Sequence, residues 1–253
     1  MMRYVLGLAV LFLVVAFSGV TRAQQTKTMN TKTDKTENQS LTSKQKSIVT
    51  IAALTAKGDL EKLQSALNAG LDAGLTVNEI KEVLVQMYAY AGFPRSLNGI
   101  NTFMRVLEER QKKGITDEQG KTATPVADTG DKYERGRKTL ETLTGQPQSK
   151  PAKGFGEFSP TIDRFLKEHL FADIFDSDIL NYRERELATI SALAAMPGVE
   201  SQLESHLSIG MRTGLTENLL GEAFDLIEKN ISKQQADAAR KSLAKVTAAR
   251  QKK

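Results

Sequence analysis

The sequence predicts an all-α fold, and three observations carry that prediction. Apolar residues recur at helical spacing along most of the 253 residues. A helix–turn–helix unit is written twice, about 140 residues apart. No stretch of useful length alternates apolar and polar residues as a half-buried strand would. The two copies read LQSALNAGLDAGLTVNEI (63–80) and LESHLSIGMRTGLTENLL (203–220), so Leu63, Leu67, Gly70, Gly74, Leu75 and Thr76 recur as Leu203, Leu207, Gly210, Gly214, Leu215 and Thr216. The stretches before them also match, KQKSIVTIAALTA (44–56) against RERELATISALAA (183–195).

Each element has a local reason. Leu60, Leu63, Leu67 and Leu71 form one stripe of a helix, and Gly74 suits the left-handed residue that ends it. Thr76 and Glu79 have the spacing of a capping box, in which each side chain meets the other residue's backbone N–H. Ile80, Val83, Leu84 and Met87 continue as the apolar face of the next helix. In MYAYAGFPR (87–95), Pro94 predicts a break after Gly92 and an irregular turn. In the second copy Leu203, Leu207 and Met211 give the stripe, Gly214 the stop and Thr216 the restart. Leu219 stands where Glu79 would be, so that capping box is incomplete.

The expected organisation follows from composition. Residues 1–23 read as a secretory signal peptide: Arg3 supplies the positive region, Val5 to Phe17 the apolar run, and Thr21-Arg22-Ala23 a small-residue cleavage site. An exported protein, periplasmic or secreted and without stable membrane insertion after cleavage, is the expectation, and an uncleaved N-terminal anchor is the alternative. Residues 24–40 are a polar spacer too poor in apolar groups to order itself. The first repeat is placed at 41–111, a linker at 112–131, the second repeat at 132–231 with a Gly/Pro-rich loop at 145–160, and a basic C-terminal helix or tail at 232–253. That tail holds seven Lys and Arg against one Asp. The formal charge of +5 is thus concentrated at the two ends of the chain, and no nucleic-acid motif accompanies it.

The sequence contains no cysteine, which removes thiol nucleophiles, thiol redox chemistry and thiolate metal sites together. With two histidines in all, a histidine-rich metal site is not expected. No phosphate-binding loop, dinucleotide fingerprint, nucleophile elbow or zinc signature is present either. A cofactor-free site acting on a small molecule is the default. His206 lies between Leu203 and Leu207, faces Ala66 in the first copy, and suits either a packed helix face or acid–base work. Glu186 lies in the run RERE and suits either a solvated face or a partner for His206. His169 lacks motif support and is assigned a structural place.

Several segments together resemble the carboxymuconolactone decarboxylase family, which shares its helical fold with the alkylhydroperoxidase D proteins. They are KSIVTIAALTAKGDLEKLQSALNAGLDAGLTVNEIKEVLVQMYAYAGFP (46–94), YERGRKTLETLTG (133–145), FLKEHLFADIFDSDILNYRERELATISALAAM (165–196) and SHLSIGMRTGLT (205–216). The resemblance implies a tandem repeat of alkylhydroperoxidase D-like helical bundles. It also implies a homo-oligomer, a trimer for a two-repeat chain. The peroxidase branch of the family carries Cys-x-x-Cys-x-x-x-His with a glutamate on the preceding helix. His206 and Glu186 match the histidine and glutamate, whereas Val199 and Gln202 occupy the cysteine positions. In the first copy Ser47 and Ala66 replace both relay residues. The decarboxylase branch needs no cysteine, so the resemblance implies a lyase, or a related proton-transfer enzyme, on a small carboxylated lactone or enolisable acid. His206 and Glu186 would be catalytic, and Tyr90, Arg95 and Arg183 are the candidates for holding substrate. An alkylhydroperoxidase-type oxidoreductase and a non-catalytic binding or structural module are the alternatives, the former disfavoured by the missing cysteines.

Overall fold

The computed structural model describes residues 40–126 and 130–252, so the expected leader and nearly all of the expected spacer lie outside the described residues. Within them the chain is all-α, with eleven α-helices, one π-helical segment and no strand. The first copy contains α1 (Ser43–Lys57), α2 (Leu60–Asp72), α3 (Val77–Ala91) and α4 (Phe93–Lys112). The second contains α5 (Lys132–Thr144), the short α6 (Phe155–Phe158) and α7 (Pro160–Arg164), the π-helical segment Phe165–Ile174, α8 (Tyr182–Ala194), α9 (Glu200–Arg212) and α10 (Glu217–Asn230). The last helix, α11 (Lys233–Gln251), is basic, but buries Ala236, Ala239, Leu243 and Val246 against α9 and α10.

The helix boundaries obey the local chemistry. Thr76 and Glu79 form the expected reciprocal cap of α3, and Thr216 caps α10 through Leu219 N–H without a glutamate in return. Gly74 and Gly214 end α2 and α9 at φ 89° and 100°, a region open to glycine. Further reciprocal caps start α1 (Thr42 with Gln45) and α8 (Asn181 with Glu184), at equivalent positions of the two copies. Pro94 departs from expectation. Instead of an irregular turn, Gly92 alone separates α3 from α4, and Pro94 sits in the first turn of α4. A proline is accommodated there because the first N–H groups of a helix have no partner to lose.

The two copies share their interior. Eight residues of α1 and ten of α8 are buried, covering all sides of each helix, and α1 packs along α8. Val49 and Ala53 of α1 belong to the apolar core of α8–α11, whereas Ala188 and Ala192 of α8 belong to the core of α1–α4. The described residues accordingly lie in one compact unit. Gln86 on α3 ties into this centre, donating to the Arg185 carbonyl and to Thr189 Oγ1, each at 2.9 Å, and accepting from the Arg185 guanidinium at 2.9 Å. The segment between the copies is also engaged. Glu118 and Gln119 carbonyls accept from Val77 and Asn78 N–H at 2.9 and 3.0 Å.

The remaining interior lies where α5 crosses the π-helical segment. A Cβ on Gly136 would stand 1.7 Å from the Lys167 carbonyl oxygen, so only glycine permits this approach. Beside it Lys167, 0 % exposed, donates to Asp163 Oδ1 at 2.8 Å, Tyr133 Oη at 2.9 Å and the Ser149 carbonyl at 3.1 Å. Burial is the largest influence on the Asp163 carboxyl and pushes its pKa up, but the hydrogen bonds from Lys167 and Tyr133 outweigh it and hold the pKa below the usual carboxylate value.

Two outcomes are expected from this crossing. Gly136→Ala should cost about 1–3 kcal/mol through overpacking and lower the melting temperature by about 2–4 °C for each kcal/mol, read by thermal unfolding. Asp163→Asn leaves a buried ammonium without its counter-charge and should cost about 3–5 kcal/mol near neutral pH. A carboxyl with a depressed folded-state pKa stabilises above its unfolded value and loses that contribution as pH falls through the folded one. The cost of Asp163→Asn should therefore shrink near pH 3, and urea unfolding at pH 3 and pH 7 checks the difference.

Candidate functional site

The site is built on α8 and α9. Gly210 on α9 brings the two helices together: an added Cβ would lie 2.7 Å from Ile190 Cδ1 and 3.8 Å from Glu186 Cβ. His206 is one turn earlier on the same face of α9 and thus meets Glu186, its Nδ1 2.8 Å from Glu186 Oε2. Glu186 is 0 % exposed. The first copy repeats the approach, with Gly70 against Ile51 and Leu75, but carries buried Ala66 and partly exposed Ser47 at the two functional positions. Ser47 Oγ merely donates to the Ser43 carbonyl. The scaffold is duplicated and the carboxylate–imidazole pair is not.

His206 lines a cavity of about 500 Å³, whose apolar wall includes Leu140, Leu166, Leu170, Phe171 and Ile209. The Tyr90 ring meets the His206 ring edge-on, with centroids 5.4 Å apart at 81°, and borders the same cavity. Burial, followed by the charge of Glu186, pushes the Tyr90 hydroxyl well above its ordinary pKa, against small opposing effects of Thr189 and Arg185. Tyr90 is therefore a neutral phenol near neutral pH. Of the former cysteine positions, Gln202 borders the cavity and Val199 precedes the first residue of α9.

A second polar group in the cavity wall is Asp163 with Lys167, the buried pair described above. Sequence reasoning missed it. A spacing of four between acid and base is the usual sign of a solvated helix pair, and only the close crossing at Gly136 turns this one inward. The two candidate arginines are placed elsewhere. Arg95 donates to the Ala56 carbonyl at the end of α1, and Arg183 in the first turn of α8 reaches towards the Gly214 turn. Neither borders the His206 cavity. Arg185, a third arginine of the matching segments, is buried and donates to Glu82, Gln86 and the Ser177 carbonyl, a cross-link between α3 and α8. His169 is at the surface, 3.0 Å from Asp173.

The geometry defines what the pair can do. With Nδ1 committed to the buried carboxylate, the ring nitrogen left for a ligand is Nε2. A neutral ring offers a lone pair there, and a protonated ring offers an N–H whose charge Glu186 balances. The site can take a proton from a bound molecule or give one to it, beside a mostly apolar wall.

Comparison with known proteins agrees with this architecture. Residues 23–103 match the family model of the carboxymuconolactone decarboxylase family. Over 75 residues the chain is 39 % identical to 4-carboxymuconolactone decarboxylase of Acinetobacter baylyi, an overlap of 29 % of this chain and 53 % of that enzyme. The chain thus spans about half the length of this curated relative. The family match covers α1 to α3 and the start of α4, whereas Glu186 and His206 lie beyond it in the second copy. The chain is thus similar to the carboxymuconolactone decarboxylase family over residues 23–103 and, distantly, to 4-carboxymuconolactone decarboxylase.

Proposed function

We propose that this protein is a cofactor-free lyase, or a related proton-transfer enzyme, acting in the His206 cavity on a small carboxylated lactone or enolisable acid. The observation that carries the reading is a buried carboxylate fixing an imidazole at 2.8 Å on the wall of a mostly apolar cavity of about 500 Å³. In the decarboxylation, the bond between the carboxylate carbon and the ring carbon breaks and CO2 leaves. Its electron pair spreads into the conjugated lactone as a dienolate. The His206 imidazolium, paired with Glu186, then delivers a proton to carbon, and the neutral ring regains its proton from solvent. Glu186 holds the ring and balances its charge at the moment of transfer. Tyr90 forms one side of the enclosure.

Thiol peroxidase chemistry is the weaker reading, because Val199 and Gln202 offer no sulfur where that chemistry needs two. Export through the leader at 1–23 and assembly as a trimer belong to the same proposal. An exposed apolar stripe on α4, formed by Phe93, Leu97 and Met104, supports self-association.

His206→Ala should lower turnover on an accepted substrate at least tenfold, in line with the usual worth of a proton donor. His206→Gln serves as a second variant that keeps a polar partner for Glu186. Glu186→Gln should lower kcat by about tenfold or more with little change in KM, and circular dichroism confirms that the variants fold. Unchanged turnover in His206→Gln would end the assignment. Export and assembly are checked on protein recovered from cell fractions, which should begin at Gln24 and have the mass of three chains by light scattering.

A further inference from the structure

Tyr88 and Tyr90 are two residues apart near the end of α3, so their side chains leave the helix in nearly opposite directions. Tyr90 meets His206. Tyr88 meets the other histidine: its ring centroid is 5.2 Å from that of His169, tilted by 60°. Tyr88 and His169 border a separate cavity of about 530 Å³, which shares Ala89, Leu166 and Leu170 with the His206 cavity. The two cavities thus stand on opposite sides of one thin wall, each with a tyrosine, a histidine and a carboxylate.

The second constellation is organised and accessible. His169 Nδ1 is 3.0 Å from Asp173 Oδ2, and Lys132 Nζ is 2.8 Å from Asp173 Oδ1. The Asp173 carboxylate is therefore occupied on both oxygens. Burial pushes its pKa up, but Lys132 and His169 outweigh burial and keep it ionised. As in the first site, Nε2 is the ring nitrogen left over, and the His169 side chain is 46 % exposed. Planar and apolar surface surrounds it. Tyr88 is backed by Phe93, with ring centroids 4.3 Å apart at 28°, and Ile162 and Phe165 leave about half their surface open to solvent.

We infer that this cavity is a second small-molecule site, and that its ligand is a neutral hydroxyaromatic compound, a phenol or a similarly flat enol. A flat ring matches the Tyr88 and Phe165 rings that border the cavity. A hydroxyl matches His169 Nε2, which accepts its proton while Asp173 fixes the tautomer. The charges on the cavity wall exclude an anion as the preferred ligand. Lys132 is already spent on Asp173, and Glu168 adds a further negative charge on the same wall. This site does not depend on the activity proposed for His206.

The test uses the full chain and inorganic-buffered phenol, anisole and benzoate as probes. With two histidines in the protein, His169→Gln assigns both ring signals in 1H–15N NMR, and the substituted surface side chain leaves folding intact. Phenol should shift the His169 signal saturably. Anisole, which lacks the proton, and benzoate, which brings a charge, should bind at least about tenfold more weakly, the loss of one good hydrogen bond. The same phenol titration should persist in His206→Gln. Equal shifts with phenol and anisole, stronger binding of benzoate, or a phenol response confined to His206 would each overturn the inference.

Discussion

Everything in this structure depends on two helices that cross in its interior. α1 and α8 pack along each other, with eight of 15 and ten of 13 residues buried, and each lends residues to the core formed by the other copy. Their small residues let them lie close along each other. The cost of such a position falls on polar groups, because a charge on a central helix must find all its partners inside. Arg185 does so through α3 and the Ser177 carbonyl, with its Nε left without a hydrogen bond. Glu186 does so through His206, with one carboxylate oxygen left without a hydrogen bond. The candidate site is a consequence of placing an acid where a soluble helix would ordinarily carry alanine or leucine.

The same logic explains why the copies differ. At the position of Glu186 the first copy has Ser47, whose hydroxyl is satisfied within its own helix, and Ala66 leaves no imidazole to pair. The first copy therefore keeps Gly70, Ile51 and Leu75 as a packing arrangement and borders the His206 cavity only through Ala89 and Tyr90 of α3. The cavity is thus walled by both copies.

Local chemistry was readable and direction was not. The caps at Thr76 and Thr216, the glycines at 74 and 214 and the helical stripes depend on neighbours within a few residues, and the structure places them as the residues imply. The pairing of Glu186 with His206 was readable because the duplicated segments align and the resemblance marks those two positions. Arg95 and Arg183 show the limit. Long charged side chains go wherever a carbonyl or a surface lies within reach, and that depends on the packing of distant helices. Lys167 shows the opposite error. Its spacing from Asp163 suggests a wet surface, yet one glycine on a third helix decides that it is dry. The π-helical geometry around it leaves no mark in the periodicity of FLKEHLFADI.

The connector between the copies has a consequence of its own. Its Glu118 and Gln119 carbonyls meet the first N–H groups of α3, Asn78 reaches the carbonyls of Gly120 and Lys121, and Thr124 holds Asp178 ahead of α8. A peptide joined at so many points is a fitted strap rather than a slack tether. Its length is set on one side by the helix that carries both tyrosines and on the other by the approach to the helix that carries Glu186. Natural variation in the number of residues between Glu118 and Thr124 would shift the frame in which both cavities are cut, whereas the exposed turn around Gly198 has open space for an insertion.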